Sequence, residues 1–325
     1  MNKNICFSII VPVYNEAEVV RETYRRLTNV MEDVGEPYEL IFVNDGSRDL
    51  TAELLYGVAE EDERVRLLDF SRNFGHQIAI TAGLDYARGQ AMIIIDGDLQ
   101  DPPELIPQMI ERWKAGYEVV YARRTQRLGE SWFKKTTASV YYRLLKGMSE
   151  IDIPLDTGDY RLMDRKVCEA MQNLREKSRF VRGMVSWVGF NQTSLEYVRE
   201  ERFAGESKYP LKKMLRFSMD GITSFSTKPL KLSGYLGMAV TAASSVFLII
   251  SLAERWFSSN PSAGYSAVLA GILMLNGMVM IFMGIMGEYL GRVYEESKNR
   301  PLYILKNKPP VERVKLHAVK WDVSK

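Results

Sequence analysis

The sequence predicts an α/β domain on a mostly parallel sheet with helices on both faces, followed by two membrane-spanning helices. Three observations carry this expectation. Short β-branched runs alternate with amphipathic stretches in the first part of the chain, the pattern of a sheet buried on both faces. Polar residues collect just beyond those runs, where ligands of parallel α/β sheets bind. Two long uncharged stretches then lie close together near the C-terminus.

The strand candidates come in order as FSIIVPV, YELIFVND, VRLLDF, MIIID and EVVYAR. Amphipathic stretches from Ala17 to Val34 and from Leu50 to Glu61 separate the first three. The opening MNKNICFSIIVPVYNE has no basic leader and no small-residue cleavage site, so it reads as a first strand and not a signal peptide. VYNE, NDGS, SRNFG and DGDLQD follow four of the runs and mark the expected site. No G-x-G-x-x-G follows the first strand and no G-x-x-x-x-G-K occurs, which argues against a dinucleotide enzyme and a P-loop NTPase.

Two stretches, near 130–148 and 209–226, pair an apolar face with Lys and Arg on the flank, which suits helices lying on anionic lipid. An ordinary surface helix facing the core is the alternative for each. The uncharged stretches, about 232–254 and 265–288, have roughly the 20 residues needed to cross a bilayer. Lys212, Lys213, Arg216, Lys228 and Lys231 precede the first, Arg292, Lys298 and Arg300 follow the second, and the connecting loop holds only Arg255. The positive-inside rule puts both termini in the cytosol. The expected organisation is a cytosolic domain over 1–227, a hairpin over 228–290 and a cytosolic tail over 291–325, all at the inner (cytoplasmic) membrane.

Lys plus Arg number 43 against 41 Asp plus Glu, a formal charge of +2, so no global attraction to nucleic acid follows. The two cysteines, Cys6 and Cys168, fit no disulfide or metal framework and suit a reducing compartment. Only two histidines, His76 and His317, are present, which disfavours histidine-rich metal sites.

The chemistry concentrates in MIIIDGDLQDPPEL, where Asp96, Asp98, Asp101 and Glu104 follow an apolar run. Asp101, Pro102, Pro103 and Glu104 read as a helix start: an N-cap, proline at the first turn and a glutamate three residues after the cap. Asp96 and Asp98 have no such explanation. They straddle Gly97 at a strand end, where two carboxylates can share one hard divalent cation with substrate phosphates. An acidic turn is the rival reading for that pair.

Read in order, SIIVPVYNE, FVNDGSRDLT, SRNFGHQ, DGDLQDPPEL, DTGDYRLMDRKV, RFAGESKYPLKKM and GEYLGRVYEESKNRPLYI resemble a family 2 glycosyltransferase of GT-A, Rossmann-like fold. Within that family the chain is similar to the polyprenyl-phosphate glycosyltransferases, the group of dolichyl-phosphate mannose synthase and bactoprenol glucosyltransferase. The resemblance implies that Asp96, Asp98 and Gln100 form a D-x-D-x-Q motif for Mg²⁺ or Mn²⁺ and the donor diphosphate. It further implies that Pro12, Tyr14, Glu16 and Asp45 line the nucleotide pocket, with Asp45 accepting hydrogen bonds from base or ribose. Arg72 and His76 fall on the nucleotide side, with helix capping an equal explanation of His76.

A lipid monophosphate, with a second pKa near about 6, is already a nucleophile at neutral pH. The protein must therefore bring two anions together. Candidates for gripping the acceptor phosphate are Arg123, Arg124, Lys134, Arg202, Ser207 and Lys208. Asp159 resembles the family's active-site aspartate, with Asp156 as its neighbouring rival. The implied activity is inverting transfer of a hexose, glucose from UDP-glucose foremost, to undecaprenyl phosphate at the cytosolic leaflet. The alternatives are another donor (UDP-N-acetylhexosamine or GDP-mannose) and a membrane scaffold or channel-like subunit with a non-catalytic nucleotide-sugar domain. The resemblance also favours a homo-oligomer, a tetramer among its forms, with the GRVYEESKNRPLYIL tail packing between protomers.

Overall fold

A computed structural model describes residues 5–125, 157–198, 227–257 and 264–306. Seven strands form one sheet: β1 (Phe7–Val13), β2 (Tyr38–Asn44), β3 (Val65–Asp69), β4 (Ala91–Ile94), β5 (Val119–Arg124), β6 (Thr157–Asp164) and β7 (Gln192–Tyr197). Their spatial order is β3-β2-β1-β4-β6-β5-β7. All neighbours pair in parallel except β6, which runs antiparallel to both β4 and β5. The five expected strands all form. The sequence reading missed β6 and β7, and β6 is what carries Asp159 into the site.

Side-chain alternation along β1 explains the two layers. Phe7, Ile9, Val11 and Val13 face one side, where α1 (Val20–Val34), α2 (Thr51–Glu61) and α4 (Ile106–Lys114) cover them. Ile10 faces the other side, with Ile41, Val43, Met92 and Ile94 from neighbouring strands. There α3 (His76–Tyr86), α5 (Arg165–Asn173) and α6 (Val181–Val188) pack. On α1, Val20, Leu27, Val30 and Met31 are the buried stripe, and Gly35 ends the helix in the left-handed conformation at φ 74°.

Two long helices follow, α7 (Lys228–Phe257) and α8 (Gly264–Ser297), of 30 and 34 residues. A Cβ on Gly237 of α7 would lie 3.6 Å from the Phe282 ring of α8, so the two helices touch. Large apolar side chains of both face outward, among them Tyr235, Met238, Ile249, Met274, Met280 and Ile281. By length and hydropathy one described stretch, Met274–Ser297, suffices to cross a membrane, and none of it is buried. The expected interfacial helices near 130–148 and 209–226 lie outside the described residues.

After α8 the chain returns to its own catalytic domain. Leu305 bridges Phe70 in antiparallel fashion. Ser71 donates its N–H to the Ile304 carbonyl at 2.9 Å, and Lys306 donates its own to Asp69 at 2.8 Å. Tyr303 is buried, stacks on Phe70 at 5.2 Å and donates its hydroxyl to Asp85 at 2.9 Å. Of residues 301–306 only Tyr303 is buried, while Ile304 stays exposed.

Candidate active site

Because β1 to β4 run in parallel, the loops after them meet at one end of the sheet. Gly97 fixes how close they come. A Cβ there would sit 2.7 Å from Val13 Cγ1 and 3.3 Å from the Pro12 carbonyl, so only glycine lets the Asp96–Asp98 segment lie against β1. Thr23 of α1 donates its hydroxyl to the Gly97 carbonyl at 3.0 Å. The next residue but one, Leu99, is buried at φ 57°, a conformation that costs a bulky side chain energy unless the surroundings enforce it. Asp98 turns back to accept the Gln100 N–H at 3.2 Å.

Asp96 Oδ1 is buried, accepts no hydrogen bond, and faces His76 Nε2 at 3.4 Å. Burial and the nearby carboxylates of Asp101, Asp159 and Asp98 push its pKa up to about 6, with His76 opposing. An orphaned, electrostatically unfavourable oxygen of this kind fits a cation's ligand. Among the described residues no group of three His, Cys, Asp or Glu side chains could hold an ion, and the carboxylates at this strand end are Asp96 and Asp98. That suits a hard ion completed by donor phosphates and water.

Asp159 sits across His76 from Asp96. Its carboxylate receives Arg182 Nε at 2.8 Å and Nη2 at 3.2 Å, Gln77 Nε2 at 3.1 Å and His76 Nε2 at 3.2 Å. Burial alone would raise its pKa, but Arg182 and His76 hold it well below the usual carboxylate range. For His76, burial is outweighed by Asp96 and Asp159, and its pKa rises to about 9. The imidazole is therefore a cation wedged between two carboxylates and not merely a helix cap. Its rival Asp156 lies outside the described residues, as do Lys134, Arg202, Ser207 and Lys208.

The residues expected on the nucleotide side all lie among the described residues. Tyr14 is exposed, Pro12 is buried in β1 behind Gly97, and the Glu16 N–H donates to Thr51 Oγ1 at 2.9 Å. Asp45 already accepts the Phe74 N–H at 2.7 Å and the Gly75 N–H at 3.0 Å. Its carboxylate thus shapes the loop after β3. Arg72, on the same loop, lies 4.1 Å over the Phe74 ring.

One expectation is corrected. Asp101 is no helix cap: Pro102 occupies that position ahead of the turn Pro103–Leu105, with no side-chain cap bond. Asp101 is instead fully buried, accepts the Tyr197 hydroxyl, and lies 3.8 Å from Arg124 Nη2. Arg124, partly exposed, also donates to Tyr197 Oη at 3.1 Å. Arg123 is exposed, 4.0 Å from Glu196 across β7. Sequence reasoning missed Arg182 and Gln77, whose only signal was proximity to motifs already noticed.

Residues 8–171 match the family model described as Glycosyl transferase family 2. The chain belongs to this family. An uncharacterized glycosyltransferase of Bacillus subtilis, YkcC, is 57% identical over 98% of each chain. The bactoprenol glucosyl transferase of Shigella phage SfV is 42% identical over 92% of this chain and 98% of its own. Its Shigella phage SfX counterpart is 41% identical over 93% and 99%. A glucosyl-3-phosphoglycerate synthase structure from Mycobacterium tuberculosis covers 67% of this chain and 76% of its own at 16% identity. Its TM-score is 0.46, too distant to bear on mechanism.

Proposed function

We propose that this protein transfers glucose from UDP-glucose to undecaprenyl phosphate, with inversion at the anomeric carbon, to give a polyprenyl-phosphate sugar. The observation that carries this reading is the likeness to bactoprenol glucosyl transferases, which runs over nine-tenths of the chain and so takes in the long helices as well as the catalytic domain. The geometry is consistent with it. A metal-linked diphosphate needs carboxylates at the strand ends, and Asp96 and Asp98 are there with an unsatisfied oxygen. A Mg²⁺ or Mn²⁺ ion on this pair would offset charge on the departing diphosphate. Gln100 stands beside the pair for the donor, and Tyr14, Glu16 and Arg72 for the nucleotide.

The acceptor supplies its own nucleophile: a phosphate oxygen forms the bond to the anomeric carbon as the bond to UDP breaks. No general base is then required, which agrees with Asp159 being too acidic to serve as one. Its negative charge instead holds Arg182 and His76 in place and faces the carbon on which positive charge develops. The outward apolar surfaces of α7 and α8 support a two-span hairpin in the cytoplasmic membrane, the flanking Lys and Arg support a cytosolic catalytic domain and termini, and a homo-oligomer rests on the family resemblance alone.

The deciding experiment incubates purified full-length protein and divalent ion with undecaprenyl phosphate and a panel of labelled nucleotide sugars. Label from UDP-glucose entering the organic phase is the expected result. Label from UDP-N-acetylhexosamine or GDP-mannose alone would reassign the donor, and no transfer with any donor would end the reading.

A further inference from the structure

Gln77 stands one residue beyond His76 in the first turn of α3, next to the loop that Asp45 holds through the Phe74 and Gly75 N–H groups. Its side-chain amide is used at both ends. Nε2 donates to Asp159 Oδ2 at 3.1 Å, and Oε1 accepts the Val181 N–H at 2.8 Å. These partners lie 82 and 104 positions away in the sequence. They also fix which way the amide points. A backbone N–H can only donate and an ionised carboxylate can only accept, so the oxygen must face Val181 and the nitrogen Asp159.

Val181 opens α6, whose N-cap residue Phe180 makes no side-chain cap bond. Gln77 thus satisfies, from another helix, one of the N–H groups that a helix leaves without an internal partner at its start. The next residue of α6 is Arg182, which donates to the same Asp159 carboxylate at 2.8 and 3.2 Å. One amide and one carboxylate therefore join α3, β6 and α6. Few side chains can do this. Asparagine is a methylene shorter, ionised glutamate has no donor, and lysine or arginine has no acceptor.

We infer that Gln77 is a positioning residue for the transfer: its amide locks the Asp159 carboxylate to the start of α6, so that Asp159 and Arg182 hold one orientation toward the anomeric carbon. This rests on the transfer reaction proposed above, in which Asp159 faces that carbon. A fixed charge stabilises the transition state best when it need not turn as positive charge develops. The contribution of Gln77 therefore falls on turnover and not on the binding of either substrate.

The test measures kcat and both KM values of the full chain with UDP-glucose, undecaprenyl phosphate and divalent ion. Gln77→Glu keeps an oxygen for the Val181 N–H and removes the N–H that Asp159 accepts. Its kcat should fall about tenfold or more, the effect of one hydrogen bond to a charged group, with both KM values within about twofold of wild type. Gln77→Met is close in length and lacks both bonds. It should lose kcat as far and also melt lower, because α6 loses its cap. A role confined to holding the fold predicts another pattern: wild-type kcat in Gln77→Glu, and a lower melting temperature in Gln77→Met alone. Wild-type kcat in folded Gln77→Glu, or a change confined to either KM, overturns the assignment while leaving the transfer reaction standing. Where Gln77→Glu does not fold, the kcat of folded Gln77→Met decides in the same way. Failure of both to fold makes the amide structural and overturns the assignment as well. A wild-type protein that labels no lipid refutes the transfer reaction itself, a result that no variant comparison could mimic.

Discussion

Asp98 and Gly97 show how differently two adjacent residues serve one site. Asp98→Ala removes a charged ligand and leaves the backbone free to keep its path. Turnover should fall about a hundredfold or more, the roughly 2.7–4 kcal/mol typical of one lost electrostatic stabiliser, with circular dichroism unchanged. Gly97→Ala acts by volume, since its Cβ must displace Val13 Cγ1 at 2.7 Å. It should lower both turnover and melting temperature, and Val13→Ala in the same chain should recover part of each. The placement of the D-x-D pair at a strand end was legible in the sequence, because an apolar run leads straight into it. The fate of Asp101 was not legible. Its partner Tyr197 is 96 positions away, and a local cap signature gives no hint of a contact made through the fold.

At the scale of elements, the opposite end of the sheet holds a buried network unrelated to the chemistry. Glu39, at the start of β2, accepts Ser8 Oγ at 2.6 Å, Arg66 Nη1 at 2.9 Å and Arg88 Nη2 at 2.7 Å. Burial pushes its pKa up, but Ser8, Arg66 and Arg88 together more than offset this and hold it below its ordinary value. A depressed folded-state pKa contributes stability that is complete above the unfolded value, about 4.3, and is lost as pH falls through the folded value. Melting temperature should therefore drop steeply below about pH 4 in wild type and less steeply in Glu39→Gln. At neutral pH that variant should be less stable by about 3 kcal/mol, because Arg66 is left buried without its partner. The same scale separates what the sequence shows from what it hides. β1 to β5, α1 and α2 announce themselves by apolar runs or a one-sided stripe. α3 does not, because Ala79 to Tyr86 are buried without a break and give no period. β6 is hidden for another reason: TGDYRLMD mixes charged and apolar residues, its buried Asp159 is held by partners elsewhere in the fold, and its buried Arg161 donates to the Gly158 and Asp159 carbonyls of the same strand.

For the whole molecule, the return of the chain after α8 matters most. Tyr303 and its neighbours bind Phe70, Ser71 and Asp69, immediately ahead of the loop that Asp45 shapes and that delivers His76. Ending the chain at Arg300 should lower the melting temperature and speed amide exchange at Phe70 to Gly75, while exchange in β1 stays slow. Unchanged exchange at those residues would show that the loop holds its shape without the tail. This contact ties the C-terminal end of the helical pair to the α/β domain, in addition to the covalent continuity of the chain. A body moored by a single line can yaw freely, whereas one moored fore and aft presents the same flank to the shore. If the pair lies in a bilayer, the contact made by residues 301–306 couples the bearing of the α/β domain to the membrane, and a cut there should loosen that aim before it disturbs the residues around Asp159.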